Sequence, residues 1–376
     1  MKIAAVVCEY NPFHAGHRHQ LEIARSALGC DAVVGIMSGN FVQRGEPSVY
    51  PKQVRATAAL RNGMDLVLEL PAVLTLQSAE RYARNAVMTL NALGCVDTLF
   101  FGAECPETDV LMRIAKVLAD EDAEFQRFLK EALSQGLSFA AARAAAIKAV
   151  LGDASAEILS QPNNILAVEY CKALIRLKSN ITPYAIARKG AGHHDLTAAD
   201  GIASGTAIRE MLVTGGDPTP YLPQNARELF EKHSPFTMER MEKAILASLC
   251  LKTPEELRQI ADVSEGLEHA LLRGAYSANT LPELIAAVKS KRYPYSRIRR
   301  MILNAYLGIT KADAEVLPRY IRILDFNETG RYVLNHAKST ATLPLAKNGA
   351  QVKDIPDALA LWQRELMLDR VYQLFL

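Results

Sequence analysis

The chain has little of what marks several protein classes. Only one of its 376 residues is tryptophan, and no apolar run approaches the length of about 18 residues needed to cross a bilayer. The first apolar stretch, residues 3–8, runs directly into a polar motif, unlike a cleaved signal peptide. These absences predict a protein that is neither exported nor membrane-spanning.

Strong net charge and paired cysteines are also missing. With 43 Lys and Arg against 41 Asp and Glu, the formal net charge is only +2, so any affinity for nucleic acid must come from a local basic patch. The six cysteines show no C-x-x-C pairing, which predicts free thiols in a reducing cytoplasm. The remaining composition, 49% hydrophobic and 22% charged, is that of an ordinary globular protein long enough for two domains.

The first hundred residues alternate between short apolar runs and longer amphipathic segments. The predicted strands are residues 3–8, 32–37, 65–70 and 98–101, and the predicted helices between them are residues 20–28, 53–62 and 79–93. A later apolar run, residues 181–187, reads as a further strand of the same sheet. This alternation predicts an α/β fold with a Rossmann-like, doubly wound parallel sheet, whose ligand binds at the carboxyl ends of the strands.

A turn-rich segment, residues 215–223, marks the predicted domain boundary. We expect residues 1–215 to form one domain and residues 216–376 to form a second, mainly helical domain.

An H-x-G-H tetrapeptide, residues 14–17, lies between the first predicted strand and the first helix. His14 and His17 are therefore expected at a helix N-terminus, where unpaired N–H groups and the helix dipole favour phosphate. Gly16 between them removes a Cβ where a nucleotide would approach the backbone. The spacing resembles the signature of the nucleotidyltransferase superfamily.

Two histidines at this spacing can also be metal ligands or simply exposed polar residues. A zinc site needs three or four ligands, and no cysteine or carboxylate of this segment has the usual spacing, although His19, His193 and His194 exist. We predict no metal site here. The imidazoles are better placed to donate hydrogen bonds to a triphosphate and to stabilise the charge that develops on leaving pyrophosphate.

Two further segments carry phosphate-binding chemistry. The strand at residues 181–187 ends in Arg188 and Lys189, although basic turns are also common on protein surfaces. Ser204 and Thr206 lie where a helix is expected to begin, so their hydroxyls would face the same anion. Residues 204–209 resemble the second superfamily signature, with Gly205 in place of its middle serine.

A basic stretch in the second half is the candidate RNA-binding element. Six cations fall within twelve residues that contain no acid, interleaved with Tyr293 and Tyr295: Lys289, Lys291, Arg292, Arg297, Arg299 and Arg300. Phosphate contacts need such density, and tyrosines stack on unpaired bases. A solvated helix face explains the same pattern equally well.

Several longer segments together resemble one bacterial family. They are residues 9–17, 37–47, 65–71, 100–105, 162–166 and 291–298. The chain resembles, over essentially its whole length, the tRNA(Met) cytidine acetate ligase family. The resemblance implies that acetate attacks ATP to give acetyl-adenylate, and that the acetyl group then passes to the exocyclic amine of the wobble cytidine of elongator tRNA(Met).

The resemblance implies that residues 1–215 form an ATP-binding, nucleotidyltransferase-like catalytic domain and that residues 216–376 form a tRNA-binding domain. It also implies site residues, with His14 and His17 catalytic on the phosphates. The implied ATP contacts are Val7, Cys8, Glu9, Tyr10, Asn11, Pro12, Phe13, Gly16, His17, Gln20, Gly102, Asn163, Arg188, Lys189, Ser204 and Thr206. Asn163 is preferred to Asn164, yet either could instead cap the helix that follows. Gln43 and Arg44 are assigned to substrate contact from their loop position. Mg²⁺ is expected with ATP, and nothing implies a protein partner.

Two other functions share parts of this pattern. A cofactor-pathway adenylyltransferase acting on a small phosphorylated substrate has the H-x-G-H core but leaves about 150 C-terminal residues unexplained. A non-catalytic RNA-binding or assembly protein could retain nucleotide binding, but the intact His14, His17 and Arg209 argue against it.

Overall fold

The computed structural model describes residues 1–188, 202–264, 266–290 and 293–376. Its strands are β1 Ile3–Cys8, β2 Ala32–Ser38, β3 Phe41–Val42, β4 Glu46–Pro47, β5 Leu66–Leu70, β6 Thr98–Ala103, β7 Thr182–Ala187, β8 Ile321–Phe326 and β9 Leu345–Ala346. Within these residues, seven strands form one sheet in the order β7-β6-β1-β2-β5-β8-β9, while β3 and β4 form a small antiparallel pair.

The α-helices alternate with the strands in the first half and dominate the second. They are α1 Ala15–Leu28, α2 Lys52–Leu60, α3 Ala72–Thr75, α4 Ala79–Leu93, α5 Thr108–Asp120, α6 Ala123–Ser134, α7 Phe139–Leu151, α8 Asp153–Ile158, α9 Pro162–Arg176, α10 Gly205–Thr214, α11 Gln224–Phe230, α12 Glu242–Cys250, α13 Pro254–Arg258, α14 Leu267–Ser277, α15 Leu281–Val288, α16 Tyr295–Leu307, α17 Lys311–Ala314, α18 Glu328–Thr340 and α19 Pro356–Gln373. Short 3₁₀ helices occupy Thr219–Tyr221, Met238–Met241 and Gly349–Gln351.

The apolar run of β1 is continuous because both of its faces are buried. Ile3 and Ala5 belong to one buried apolar cluster, whereas Ala4 and Val6 belong to another, since successive side chains of a strand point to opposite faces. β1 pairs in parallel with β2 on one side and with β6 on the other. From β1 the chain first continues to β2 on one side of it and later places β6 on the other side. The strand order therefore reverses at β1, and its carboxyl end is a topological switch point.

The predicted α/β fold with a mostly parallel, doubly wound sheet is confirmed, and the predicted strand at residues 181–187 is β7. The C-terminal part contains more than the predicted helices. β8 pairs antiparallel with β5, and β9 pairs in parallel with β8. After residue 215 the described residues are mainly helical, and the two strands among them extend the sheet of the first part. The domain boundary at residues 215–223 stays a prediction.

A buried ionic network joins the C-terminal helix to the sheet. Lys52 Nζ lies 2.5 Å from a carboxylate oxygen of Glu69 and 2.5 Å from one of Asp369. Arg322 Nε lies 2.9 Å from the other oxygen of Glu69, and Glu365 completes the group. Buried charges are tolerated only when they are paired in this way, so α2, β5, β8 and α19 are held in one arrangement.

No helix in the described part of the chain is both long and apolar enough to cross a membrane.

Candidate active site

A cavity of about 210 Å³ opens at the carboxyl end of β1. It collects most of the predicted site residues: Val7, Cys8, Glu9, Tyr10, Asn11, His14, His17, Gln20, Gln43, Arg44, Gly102, Asn163, Arg188, Ser204 and Thr206. These residues come from segments far apart in sequence, and they meet because β1, β6, β7 and the loop after β2 end at the same edge of the sheet. The position at the switch point agrees with the predicted ligand site.

His14 and His17 are held in fixed orientations by the first turn of α1. His14 is the N-cap, and its Nδ1 accepts a hydrogen bond of 3.1 Å from the backbone N–H of Gly16. The backbone N–H of His14 donates in turn to Nδ1 of His17, at 3.3 Å. Because both Nδ1 atoms are acceptors, each neutral ring carries its proton on Nε2. The pair therefore offers two N–H donors.

Both imidazoles are neutral at pH 7. Burial, together with the neighbouring Arg188 and Arg209, lowers the pKa of His14 to about 3. Burial also holds the pKa of His17 well below its usual value, helped by His14 and Arg188. The rings stack with centroids 3.7 Å apart, an arrangement that disfavours two positive charges. A neutral N–H donor with no positive charge of its own binds a phosphate oxygen through a directed hydrogen bond.

Three arginines supply the positive charge of the cavity, and Glu9 is the one acidic residue among its described lining residues. Arg209 donates to the carbonyl oxygen of Asn11 at 2.8 Å and to Oγ1 of Thr206 at 3.2 Å. Arg188 lies 3.4 Å from Oδ1 of Asn163. The excess of cations predicts an anionic ligand with several charges.

Arg44 differs from the other two arginines because its guanidinium makes no hydrogen bond or ion pair within the described residues. Burial lowers its pKa, and the nearby Glu9 opposes that effect. Gln43, the other predicted substrate contact, donates its side-chain N–H to the carbonyl oxygen of Gln77 at 2.9 Å. The guanidinium N–H groups of Arg44 are thus available to a ligand, whereas the side-chain N–H of Gln43 is already used.

The start of α10 forms the opposite wall. Ser204 is the N-cap, and its Oγ accepts a hydrogen bond of 3.1 Å from the backbone N–H of Ala207. A Cβ added at Gly205 would lie 3.8 Å from Nε2 of His14, so this glycine faces the imidazole directly. The positive end of a helix and the histidine donors therefore address the same space.

The structure separates the roles of the two neighbouring asparagines. Asn164 is buried, and its Oδ1 accepts a hydrogen bond of 2.9 Å from the backbone N–H of Cys105. Asn163 lines the cavity and donates to Glu104 at 2.5 Å. Gln161 is the N-cap of α9, so neither asparagine caps the helix. Asn163 has the position expected of a ligand contact, whereas Asn164 joins α9 to the end of β6.

Two glycines leave room for side chains of the site. A Cβ at Gly102 would lie 3.3 Å from Cγ of Arg188 and 3.5 Å from Nε2 of Gln20. A Cβ at Gly16 would lie 3.0 Å from Cε1 of His14. Gly16 is therefore needed for the position of the histidine ring, and it also borders a smaller cavity behind the two imidazoles.

Four of the predicted ATP contacts either do not line the cavity or lie outside the described residues. Pro12, Phe13 and Gly16 are not among its lining residues. Phe13 is buried, with its ring 4.8 Å from that of Tyr10 and 5.7 Å from that of His17. Its packing supports the position of the histidine pair, and ATP contact by Pro12, Phe13 and Gly16 stays a prediction. Lys189 lies outside the described residues.

Sequence patterns missed four lining residues: Tyr82, Phe101, Leu166 and Tyr170. Phe101 and Leu166 are close in sequence to Gly102 and Asn163, and Tyr170 is two helical turns beyond Asn163, so helical spacing could have found it. Tyr82 on α4 carries no such signal. The buried Arg55 was missed as well; its guanidinium donates to the carbonyl oxygens of Glu9 and Gly39 and fixes the ends of β1 and β2.

The arginines of the predicted RNA-binding stretch are engaged with the protein itself. Arg300 is buried and pairs with Asp262 at 2.7 Å, so its predicted RNA contact is corrected to a structural role. Arg297 donates to the backbone oxygen of Asp262 at 2.9 Å and packs against the ring of Tyr293. Arg299 pairs with Glu46 and remains partly exposed. Lys291 and Arg292 lie outside the described residues.

Glu69, Glu365 and Asp369 have the mutual spacing of metal ligands in the described part of the chain. Lys52 already lies between two of these carboxylates, and Arg322 pairs with Glu69. Burial and the neighbouring Glu69 raise the pKa of Glu365 well above its usual value. With Glu365 protonated, the two cations balance the two remaining carboxylates, and the group functions as the ionic network of the fold.

Comparisons with known proteins define the class to which this fold and site belong. The HIGH Nucleotidyl Transferase family matches residues 1–376, so the chain is a member of that family. The tRNA(Met) cytidine acetate ligase of Halothermothrix orenii is 40% identical over 365 residues, which cover 92% of this chain and 86% of that protein. The one from Thermoanaerobacter sp. is 37% identical over 384 residues, covering 100% and 95%. The chain belongs to the tRNA(Met) cytidine acetate ligase family and is a ligase.

Solved structures agree with this assignment. Apo TmcAL of Thermotoga maritima (form I) superposes with a TM-score of 0.96 at 34% identity, covering 100% of this chain and 95% of that one. TmcAL of the same organism bound with alpha-thio ATP (form II) gives a TM-score of 0.93 at 33% identity with the same coverage. The fold of this chain is thus that of a family member for which an ATP analogue complex exists.

Proposed function

We propose that this chain binds ATP in the β1 cavity, activates acetate as acetyl-adenylate and transfers the acetyl group to the exocyclic amine of the wobble cytidine of elongator tRNA(Met). One observation carries the proposal. Two neutral Nε2–H donors and three arginines converge with the N-terminus of α10 on a cavity whose described lining includes a single carboxylate. The names of the relatives and the ATP analogue bound to Thermotoga maritima TmcAL support the choice of substrates.

The first step forms the activated acid. An acetate oxygen attacks the α-phosphorus of ATP, the bond from that phosphorus to the bridging oxygen breaks, and pyrophosphate leaves with the electron pair. His14 and His17 donate to phosphate oxygens on which charge develops, and they are not nucleophiles. Arg188, Arg209 and the N-terminus of α10 add fixed positive charge.

The second step explains the need for ATP. The lone pair of the cytosine amine is delocalised into the ring, so it attacks only an activated carbonyl carbon such as that of a mixed anhydride. A C–N bond forms, the C–O bond to phosphate breaks, AMP leaves with the electron pair, and the amine loses one proton to water. Arg44, which has no described protein partner, is assigned to the substrate side of the cavity.

Mg²⁺ is part of the proposal as the usual companion of ATP. Glu9 is the acidic residue of the described cavity lining, and its Oε1 already accepts from the backbone N–H of Gln43 at 2.7 Å. The ion would therefore be held mainly by the ATP phosphates and water, as is common for Mg²⁺. We also propose that the part of the chain after residue 215 recognises the tRNA. The tRNA-modifying activity named for its relatives supports the further proposal that the protein acts in the cytoplasm.

The test is to incubate the purified protein with ATP, labelled acetate and total tRNA, and to measure both AMP release and label in RNA. A reaction without acetate is the control. AMP release that depends on acetate, together with labelled tRNA, is the expected result. ATP binding with neither product would contradict the proposal and favour an adenylyltransferase acting on a small phosphorylated substrate.

A further inference from the structure

A second cavity, of about 500 Å³, lies directly beside the first. The two cavities share three lining residues, namely Arg44, Thr206 and Arg209. The two cavities therefore meet at these side chains, beside the proposed acyl-adenylate. Its volume falls within the range of about 300–1,000 Å³ that is typical of small-molecule sites.

The walls of the second cavity come from both sides of the turn-rich segment that begins at residue 215. Glu46 of β4 and Val213 of α10 precede that segment, whereas Tyr295 and Arg299 at the start of α16 follow it. The ion pair between Glu46 and Arg299 holds the two walls together. Gly45, at a φ of +80°, lets the loop lie directly against the backbone of α16. Specific contacts of the fold thus hold the walls of this cavity in place.

Its chemistry differs from that of the first cavity. Three arginines are matched by three glutamates among the described lining residues, so the positive excess that suits ATP is absent. The rest of the lining is largely apolar and includes the buried Phe236, with Tyr295 half exposed at the edge. Such a lining fits an uncharged heteroaromatic group better than a phosphate. Carboxylates are also natural acceptors for the amine of cytosine.

We infer that the second cavity receives the acceptor nucleobase, an unpaired pyrimidine that presents its exocyclic amine toward the shared wall. This inference rests on the proposed function, since it needs an acyl-adenylate in the first cavity. Tyr295 supplies the aromatic surface on which an unpaired base stacks. Glu46 lies at the shared wall, since its Oε2 is 3.8 Å from Nε of Arg209.

The test fills the second cavity without touching the first. Val213 lines the second cavity and is 55% exposed, so Val213→Trp adds bulk there without disturbing a core. Thr214→Trp is the matched control, because Thr214 is the next residue of the same helix, is exposed and does not line either cavity. Two rates are measured for each variant: acetate-dependent exchange of pyrophosphate into ATP, and acetyl transfer to tRNA.

We expect Val213→Trp to keep the exchange rate of the wild type and to lose about 100-fold in acetyl transfer, the scale on which displacement of a reacting group reduces a rate. Thr214→Trp should keep both rates. Transfer by Val213→Trp at the rate of the control would overturn the inference, and so would loss of exchange together with transfer. Absence of both activities in the wild type would contradict the proposed function itself, which separates the two failures.

Discussion

The backbone N–H of His14 donates to Nδ1 of His17, 3.3 Å away, while the two rings stack with centroids 3.7 Å apart. The sequence spacing therefore does more than place two histidines on one face of a helix. It uses the free N–H groups of the first turn to fix one tautomer of each ring. Each remaining Nε2–H is then aligned for a phosphate before ATP binds, so no reorientation is needed during the reaction.

Replacing one of these donors should affect the first half-reaction selectively. We expect His17→Ala to slow acetate-dependent pyrophosphate exchange by about 10²–10³-fold, the usual effect of removing one transition-state donor. The affinity for tRNA should stay close to that of the wild type, as measured by filter binding. Arg18→Ala is the matched control, because Arg18 is the next residue, is exposed and, among the described residues, pairs only with Glu22. A large loss of tRNA binding in His17→Ala would contradict the assignment.

Stability should depend on pH through the buried imidazoles. The pKa of His14 is lowered to about 3, so between pH 6.5 and 3 the unfolded chain binds a proton that the folded chain does not. The free energy of unfolding should therefore fall as the pH is lowered below 6.5, by up to about 1.4 kcal/mol per pH unit for this residue. Above pH 6.5 the contribution vanishes, since the ring is neutral in both states.

Urea unfolding at pH 7.5, 6.0 and 5.0 measures this effect. His14→Asn keeps a side chain that can cap α1 but removes the titrating group. The variant should lose less stability than the wild type between pH 6.0 and 5.0. Equal losses in the two proteins would show that His14 is not neutral and buried in the folded state.

Gly45 should be the most sensitive glycine of the loop after β2. Its φ of +80° disfavours any other residue, and an added Cβ would collide with the backbone of Arg300. We expect Gly45→Ala to lower the free energy of unfolding by about 3 kcal/mol, which combines the cost of a left-handed conformation with overpacking.

Gly136→Ala separates these two causes. Gly136 has a φ of +82°, but an added Cβ would meet nothing within 4 Å. Its replacement should cost only about 1 kcal/mol, the conformational part alone. If the two variants were equally stable in chemical denaturation, the loop would not be pressed against α16 as described.

The local features of the site were predictable from the sequence. The apolar run of β1, the H-x-G-H turn and the helix start at Ser204 each carry a short-range signal, and parallel strands bring such turns to one edge of a sheet. The distinction between Asn163 and Asn164 was not predictable with certainty. It depends on which of the two reaches the backbone of Cys105, a contact across 59 residues.

The role of the C-terminal half was harder to predict because it depends on contacts over hundreds of residues. β8 has a short mixed sequence, and only its pairing with β5 makes it part of the sheet. From its neighbours in the sequence, Lys52 reads as an exposed polar residue, yet it pairs with Asp369 at the far end of the chain. Arg300 likewise reads as part of a basic surface in the sequence, yet it is buried and pairs with Asp262.

The most direct test of the account follows the oxygen atoms of acetate. The reaction is run with wild-type protein, ATP, tRNA and acetate labelled with oxygen-18 at both positions, and the products are analysed by mass spectrometry. If acetate attacks the α-phosphorus, AMP must carry one labelled oxygen and the acetylated cytidine must keep the other. AMP without label, formed alongside acetylated tRNA, would contradict an acetyl-adenylate and with it the proposed role of the β1 cavity.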